Sequence, residues 1–178
     1  MLKIQRFICN PLRENTYVIS DETKECMIVD CGAYYEAEKD AIKHYIEGNG
    51  LKVRHLLATH GHIDHNLGDK FVFDNWGVKP EVGTADGFFF DKMKEQAKAI
   101  CGLDDFAQDN CVCVGKYLDE HDPIELGTHK FTILPTPGHT PGGMTFYCKE
   151  EHVAFTGDTL FHGSIGRTDF EGGSMFMM

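Results

Sequence analysis

The segment ATHGHIDH, residues 58–65, places three histidines and one aspartate within six consecutive positions. Neutral imidazole and carboxylate groups are ligands that suit zinc, iron and manganese, and a metal site must collect three or more of them. His60 and His62 lie two positions apart, so at the end of an extended segment both rings can point to one side. Asp64 and His65 follow and can face a second centre across a tight turn. The segment therefore predicts a site for two metal ions.

Two further motifs place candidate ligands in turns that follow apolar strands. His139 lies within PTPGHTPGG, residues 135–143, and Asp158 lies within FTGDTLF, residues 155–161. The prolines and glycines around His139 fix an irregular backbone and allow close approach, as a ligand loop requires. We therefore predict that both side chains join the site.

The pattern of apolar residues predicts two strand-rich halves, each associated with helices. The predicted strands cover residues 2–8, 15–20 and 26–30 as an antiparallel meander, then 53–58, 129–134, 144–148 and 152–156. Helices are predicted over 34–46, weakly over 66–76, and as one helix over 84–100 with Thr84 as its N-cap. Two such halves predict two sheets packed face to face under outer layers of helices, in one domain spanning residues 1–178.

The composition narrows the class of partner. A formal net charge of −11 disfavours phosphate backbones and anionic lipid surfaces, so we expect a small-molecule substrate and neither nucleic acid nor membrane as partner. Neither a leader peptide nor a membrane span is recognisable, which predicts a cytoplasmic location. Seven cysteines are expected to be reduced thiols, with Cys111 and Cys113 as ordinary residues and not metal ligands. The oligomeric state is left open.

The three motifs, in this order, resemble the metallo-β-lactamase superfamily. They are THGHIDH at residues 59–65, PGHTPG at 137–142 and TGDTLF at 156–161. The stretch GSIGRTDF, residues 163–170, resembles the glyoxalase II-type branch, particularly small bacterial hydrolases of the hydroxyacylglutathione hydrolase type that lack the helical glutathione-binding domain. The resemblance runs from residues 15–17 to the end of the chain.

This resemblance implies an α/β (α+β) fold, a four-layer αβ/βα sandwich with the metal site at one edge. It implies one ion on His60, His62 and His139, and a second on Asp64 and His65, with the Asp158 carboxylate between them. The superfamily normally adds a later strand and a last histidine on the second ion. Neither is present in these 178 residues, so we expect the native chain to be longer and the second site to be incomplete here.

The resemblance further implies metal-assisted hydrolysis of a thioester such as S-lactoylglutathione. Water held by one or two zinc ions, with iron or manganese as alternatives, would ionise near neutral pH and attack the carbonyl. Asp64 and Asp158 are the catalytic carboxylates of this scheme. For Arg167, a structural ion pair and a contact with a substrate carboxylate are both open.

Three other interpretations are kept. A persulfide dioxygenase would use one iron, although its segment usually carries a cysteine where Ile165 stands. A phosphodiesterase or lactonase of the same superfamily is another, and a module that binds metal only for stability is the third. An aspartate at position 158 argues against the β-lactamase branches. The remaining histidines receive no function; they are His44, His55, His121, His129, His152 and His162.

Overall fold

A computed structural model describes all 178 residues, and its first sheet has six strands in the order β1-β2-β3-β4-β5-β6. These strands are β1 (Lys3–Cys9), β2 (Glu14–Ser20), β3 (Glu25–Val29), β4 (Lys52–Leu57), β5 (Pro80–Gly83) and β6 (Lys116–Leu118). The first three pair antiparallel, while β3, β4, β5 and β6 pair parallel. The predicted antiparallel meander is confirmed.

The second sheet is antiparallel throughout and has the order β10-β9-β8-β7. Its strands are β7 (Ile124–Leu126), β8 (His129–Pro135), β9 (Met144–Cys148) and β10 (Val153–Phe155), and a separate hairpin contains β11 (Leu160–Phe161) and β12 (Ser164–Ile165). Along β8, buried residues alternate with exposed ones. One face of this sheet is therefore packed and the other is open.

The two sheets face each other, and helices cover the other face of the first sheet. Ile19 and Met27 of the first sheet pack with Ile133 and Phe146 of the second in one apolar cluster. A second cluster joins the far face of the first sheet to the helices. The helices are α1 (Glu36–Gly48), α2 (Asp69–Trp76), α3 (Gly87–Phe90) and α4 (Met93–Cys101). The expected fold class, facing sheets with outer helices, is confirmed, with the helices of this chain on the first sheet and the outer face of the second sheet open.

The expectation of one helix over residues 84–100 is wrong. This stretch contains a short 3-10 helix (Thr84–Asp86), then α3 and α4, with Asp91 and Lys92 outside helical structure. The Thr84 hydroxyl donates to the Leu118 carbonyl oxygen at 3.2 Å and does not cap a helix. The apolar spacing therefore identified the helical character of this stretch but not its division into shorter helices.

Five short strands of the structure, β5, β6, β7, β11 and β12, are absent from the sequence-based prediction. They contain between two and four residues each, too few to show a period of two. β5 also begins with Pro80, which a strand tolerates at its first position but which obscures the pattern.

None of the seven cysteines is in a disulfide bond, and no group of potential metal ligands includes Cys111 or Cys113. None of the helices has the length and apolar character needed to cross a bilayer.

Candidate metal centre

The candidate ligands come from the ends of strands that meet at one edge of the paired sheets. The segment 58–65 follows β4, His139 follows β8 and Asp158 follows β10. Parallel strands place their carboxyl ends at the same edge, and β8 and β10 run in the same direction because both are antiparallel to β9. The sheet topology therefore brings residues nearly a hundred positions apart to one place.

Three buried histidines form the tightest group. One ring nitrogen from each of His60, His62 and His139 lies within 4.8 Å of the others. His62 Nδ1 and His139 Nε2 are 2.9 Å apart, and the His60 ring centroid lies 4.9 Å from that of His62 and 4.8 Å from that of His139. Three imidazoles at this spacing can share one cation.

The hydrogen bonds of His60 leave one of its nitrogens without a partner. The Thr59 hydroxyl donates to Asp30 Oδ2 at 2.8 Å, so it accepts from His60 Nδ1, which lies 3.1 Å away. With the proton on Nδ1, the lone pair of His60 Nε2 is free, and this atom is buried with no hydrogen-bond partner. A buried unpaired nitrogen that faces two other imidazoles fits a metal ion at this position.

His139 is oriented in the same way. Its Nδ1 lies 2.6 Å from the carbonyl oxygen of Arg167, which can only accept, so Nδ1 carries the proton. The lone pair of Nε2 is then directed at His62. Residues 163–170 thus contribute to the site through a backbone oxygen.

Asp158 lies between this triad and His65. Its Oδ1 is 3.3 Å from His65 Nε2, and its Oδ2 is 3.6 Å from His139 Nε2. The other ring nitrogen of His65, Nδ1, lies 3.0 Å from Asp30 Oδ2. Asp64 Oδ2 lies 3.6 Å from His65 Nε2, the nitrogen that Asp158 also faces. One carboxylate therefore faces both halves of the site.

The two halves of the site, the triad of His60, His62 and His139 and the pair of His65 and Asp64, differ in the pKa values of their histidines. Burial, reinforced by neighbouring histidines, lowers the pKa of His60 well below its ordinary value and lowers the pKa of His62 to about 3. Burial also acts to lower the pKa of His65, but the carboxylates of Asp64, Asp30 and Asp158 outweigh it and hold that pKa well above its ordinary value. In the absence of ions, these shifts favour the neutral form of His60 and His62 and the protonated form of His65.

This difference predicts that ion binding at the two halves depends differently on pH. A cation at His65 must displace a proton, so its affinity should rise as pH increases toward the raised pKa of His65. A cation at the first site displaces no proton from His60 or His62 near neutrality, so its affinity should depend less on pH. Zinc titrations against a competing chelator at about pH 6 and about pH 8 measure both affinities. Equal pH dependence of the two binding steps would contradict the assignment.

Four buried side chains that the sequence analysis did not single out fix the ligand loops; they are Asn10, Asp30, Asn66 and Asp86. Asn66 Nδ2 donates to the carbonyl oxygens of His60 and His62 at 3.2 and 2.6 Å, and Asn10 Nδ2 donates to that of Asp64 at 2.7 Å. The sequence feature that could have identified Asp30 is its position as a carboxylate at the end of the apolar strand at 26–30. For Asn10 and Asp86, nothing in the local sequence indicates the contact.

A cavity of about 1050 Å³ opens beside the histidines. Arg167 and Phe170 line it together with His62, His139 and Asp158. The Arg167 guanidinium binds Asp169 through hydrogen bonds of 2.9 and 2.8 Å and lies over the Phe170 ring, with 64% of the side chain exposed. The ion pair considered for Arg167 is thus present.

The histidines without an assigned function lie outside this group of ligands. His129 is buried between Asp21 and Glu151, and His55 pairs with Glu81. His162 lines the cavity but is exposed, and none of its atoms belongs to a triad of close ligand atoms.

The metallo-β-lactamase superfamily model matches residues 9–178, so the chain belongs to this superfamily. The hydroxyacylglutathione hydrolase GloC of Haemophilus influenzae is 38% identical over 168 residues, which cover 90% of this chain and 73% of that protein. The predicted resemblance to the superfamily and to its glyoxalase II-type members is confirmed.

Solved structures have the same fold. The structure of the BLEG-1 B3 metallo-beta-lactamase gives a TM-score of 0.82 at 27% identity, covering 99% of this chain and 81% of that one. TTHA1623 in a di-iron-bound form gives a TM-score of 0.81 at 28% identity, covering 97% and 81%. The chain is thus a member of a metal-binding hydrolase superfamily.

Proposed function

We propose that the chain hydrolyses a thioester of the hydroxyacylglutathione type and uses zinc to do so. The observation that carries this proposal is that the buried residues His60, His62 and His139 meet at one point, with the Asp158 carboxylate between this triad and His65. The 38% identity to the GloC hydrolase supports the choice of thioester.

In this proposal His60, His62 and His139 hold the first ion, Asp64 and His65 hold the second, and Asp158 contacts both. When bound, such ions activate water and polarise a carbonyl group. Asp30 keeps the proton on Nδ1 of His60 through the Thr59 hydroxyl, and it keeps the proton on Nδ1 of His65 directly. In both rings Nε2 is then the atom that would bind an ion. The Arg167 carbonyl oxygen does the same for His139.

The chemistry of a thioester suits the residues around the centre. A thiol has a pKa of about 8.5 and leaves as a thiolate, so the reaction needs no dedicated general acid. Asp64 and Asp158, whose carboxylates face the Nε2 atoms of the histidines, would be occupied as ligands in this scheme and would not be available to protonate a leaving group. Their catalytic role would be to hold the ions, which supply the activated water when bound.

The substrate in this proposal is a small molecule that occupies the cavity beside the histidines. A volume of about 1050 Å³ is sufficient for a small organic ligand. The net charge of −11 opposes nucleic acid and anionic membranes, and would also oppose an acidic thioester at long range. Local cations, the bound ions and Arg167, would then attract such a substrate, with Arg167 released from Asp169 to meet its carboxylate.

The test is a thiol-release assay on the zinc-loaded chain. We expect S-lactoylglutathione to be hydrolysed in an ion-dependent way, with no oxygen consumed and no turnover of a chromogenic cephalosporin or a phosphodiester. Oxygen uptake by an iron-loaded chain on a persulfide, or turnover of only a lactone or phosphodiester, would contradict the thioester assignment. Bound zinc with no turnover of any of these substrates would support the structural module instead.

A further inference from the structure

Asp86 occupies the position between the two loops that carry the histidine triad. It follows β5 as the last residue of a short 3-10 helix (Thr84–Asp86), and its side chain is completely buried. It lies in neither of the histidine motifs and is not among the groups of potential metal ligands. A buried carboxylate requires partners, and these define its role.

The Asp86 carboxylate accepts three hydrogen bonds from the two loops. Its Oδ2 accepts from the backbone N–H of Gly61 at 2.8 Å and from the Thr140 hydroxyl at 2.7 Å. Its Oδ1 accepts from the backbone N–H of Gly142 at 2.5 Å. Gly61 lies between His60 and His62, and Thr140 follows His139 directly. One side chain thus connects the neighbours of all three histidines.

The backbone approaches Asp86 so closely that only glycine fits at two of these positions. A Cβ atom on Gly61 would lie 2.9 Å from the Asp86 carbonyl oxygen and 2.7 Å from the Phe89 ring. A Cβ atom on Gly142 would lie 2.5 Å from the Asp86 nitrogen and 2.7 Å from Oδ1. Both loops are therefore shaped to receive this carboxylate.

We propose that Asp86 is the positioning residue that sets the geometry of the first ion site, by joining the loop of His60 and His62 to the loop of His139. The inference rests on the proposed function, in which these histidines hold an ion. Hydrogen bonds to an ionised carboxylate are short and strong. Three of them restrain both loops at residues next to the histidines.

The second ion site is fixed by different residues. Asn10 holds the Asp64 carbonyl oxygen, and Asp30 holds the His65 ring, and neither contacts the His139 loop. Loss of the Asp86 contacts should therefore weaken the first site selectively. One backbone hydrogen bond, from Met144 N to the Thr59 oxygen at 2.8 Å, also links the two loops and should preserve the fold when Asp86 is changed.

The experiment compares zinc binding to the full chain and to Asp86→Asn, Thr140→Val and Asp21→Asn variants, with the ring NMR signals of the histidines as the readout for each site. In Asp86→Asn, an amide N–H₂ group replaces one of the two carboxylate oxygens. Because each oxygen accepts from a backbone N–H group, a donor would then face a donor. We expect the first site to bind about 10- to 100-fold more weakly, with the binding response of His65 unchanged. Thr140→Val removes one of the three hydrogen bonds and should show a smaller loss of the same kind.

Asp21→Asn is the matched control. Asp21 is another buried carboxylate that accepts from backbone and hydroxyl donors, at Thr23 and Thr128. It also contacts His129, but it touches none of the candidate metal ligands. It should lower the melting temperature of the ion-free chain and leave both zinc affinities unchanged. The melting temperature of each ion-free variant reports whether it is folded, and Thr140→Val carries the test if Asp86→Asn does not fold.

Three outcomes overturn the inference in distinguishable ways. If the unmodified chain binds two ions and both Asp86→Asn and Thr140→Val bind them with unchanged affinities, the role of Asp86 fails and the proposed ligands stand. Equal weakening of both sites also rejects the selective role. If the unmodified chain binds no ion at its histidines, the proposed function fails and this inference fails with it.

Discussion

Replacing His60 with alanine is expected to empty the first ion site and to reduce kcat/KM for thioester hydrolysis at least about a thousandfold, or about 4 kcal/mol of transition-state stabilisation. The reason is that His60 Nε2 is the one buried imidazole nitrogen without a hydrogen-bond partner, so its loss removes a ligand that no neighbouring group replaces. Its lowered pKa also makes it a ligand that protons do not block near neutrality. Metal content after dialysis and thiol release measure the two effects.

His44→Ala is the matched control for this prediction. His44 is exposed on α1, and its Nδ1 contacts the Asp40 carbonyl oxygen one turn earlier at 2.7 Å. We expect metal content and activity to stay at the level of the unmodified chain. If His60→Ala and His44→Ala retain equal metal, His60 is not a ligand.

The sequence was most informative where chemistry is concentrated in short motifs. The spacing of His60, His62, Asp64 and His65 and the glycine- and proline-rich turn at His139 were sufficient to predict a shared site. The structure does bring His60, His62 and His139 together. Local patterns of this kind are visible because ligand loops follow buried strands, whose apolar runs mark the position of the loop.

Contacts that depend on the path of the chain could not be predicted. Asp86 lies 25 residues from Gly61 and 56 from Gly142, and no local pattern shows that it contacts both. The interruption of the expected helix over 84–100 at Asp91 and Lys92 likewise has no signal in the apolar pattern. Asn10 is similar, because its contact with Asp64 spans 54 residues.

Replacing Asp158 with asparagine is expected to weaken both ion sites, the second more than the first. Its Oδ1 lies 3.3 Å from His65 Nε2 and its Oδ2 lies 3.6 Å from His139 Nε2, and the amide keeps the shape but loses the charge that both ions would share. The second site has fewer histidines, so it depends more on this charge. We expect kcat/KM for thioester hydrolysis to fall about a hundredfold or more, about 2.7 kcal/mol.

The ion-free variant offers a second measurement that separates this role from a loss of folding. Although burial opposes it, the hydrogen bond with His65 contributes to the lowered pKa of Asp158, and the same contact helps to raise the pKa of His65. In Asp158→Asn the pKa of His65 should therefore fall, which an NMR titration of its ring measures directly. Asp74→Asn, which alters only an exposed pair with Lys70, should leave this pKa and both affinities unchanged. An unchanged pKa of His65 in Asp158→Asn would mean that the carboxylate does not face His65 in solution, and the assignment of a shared ligand would fail.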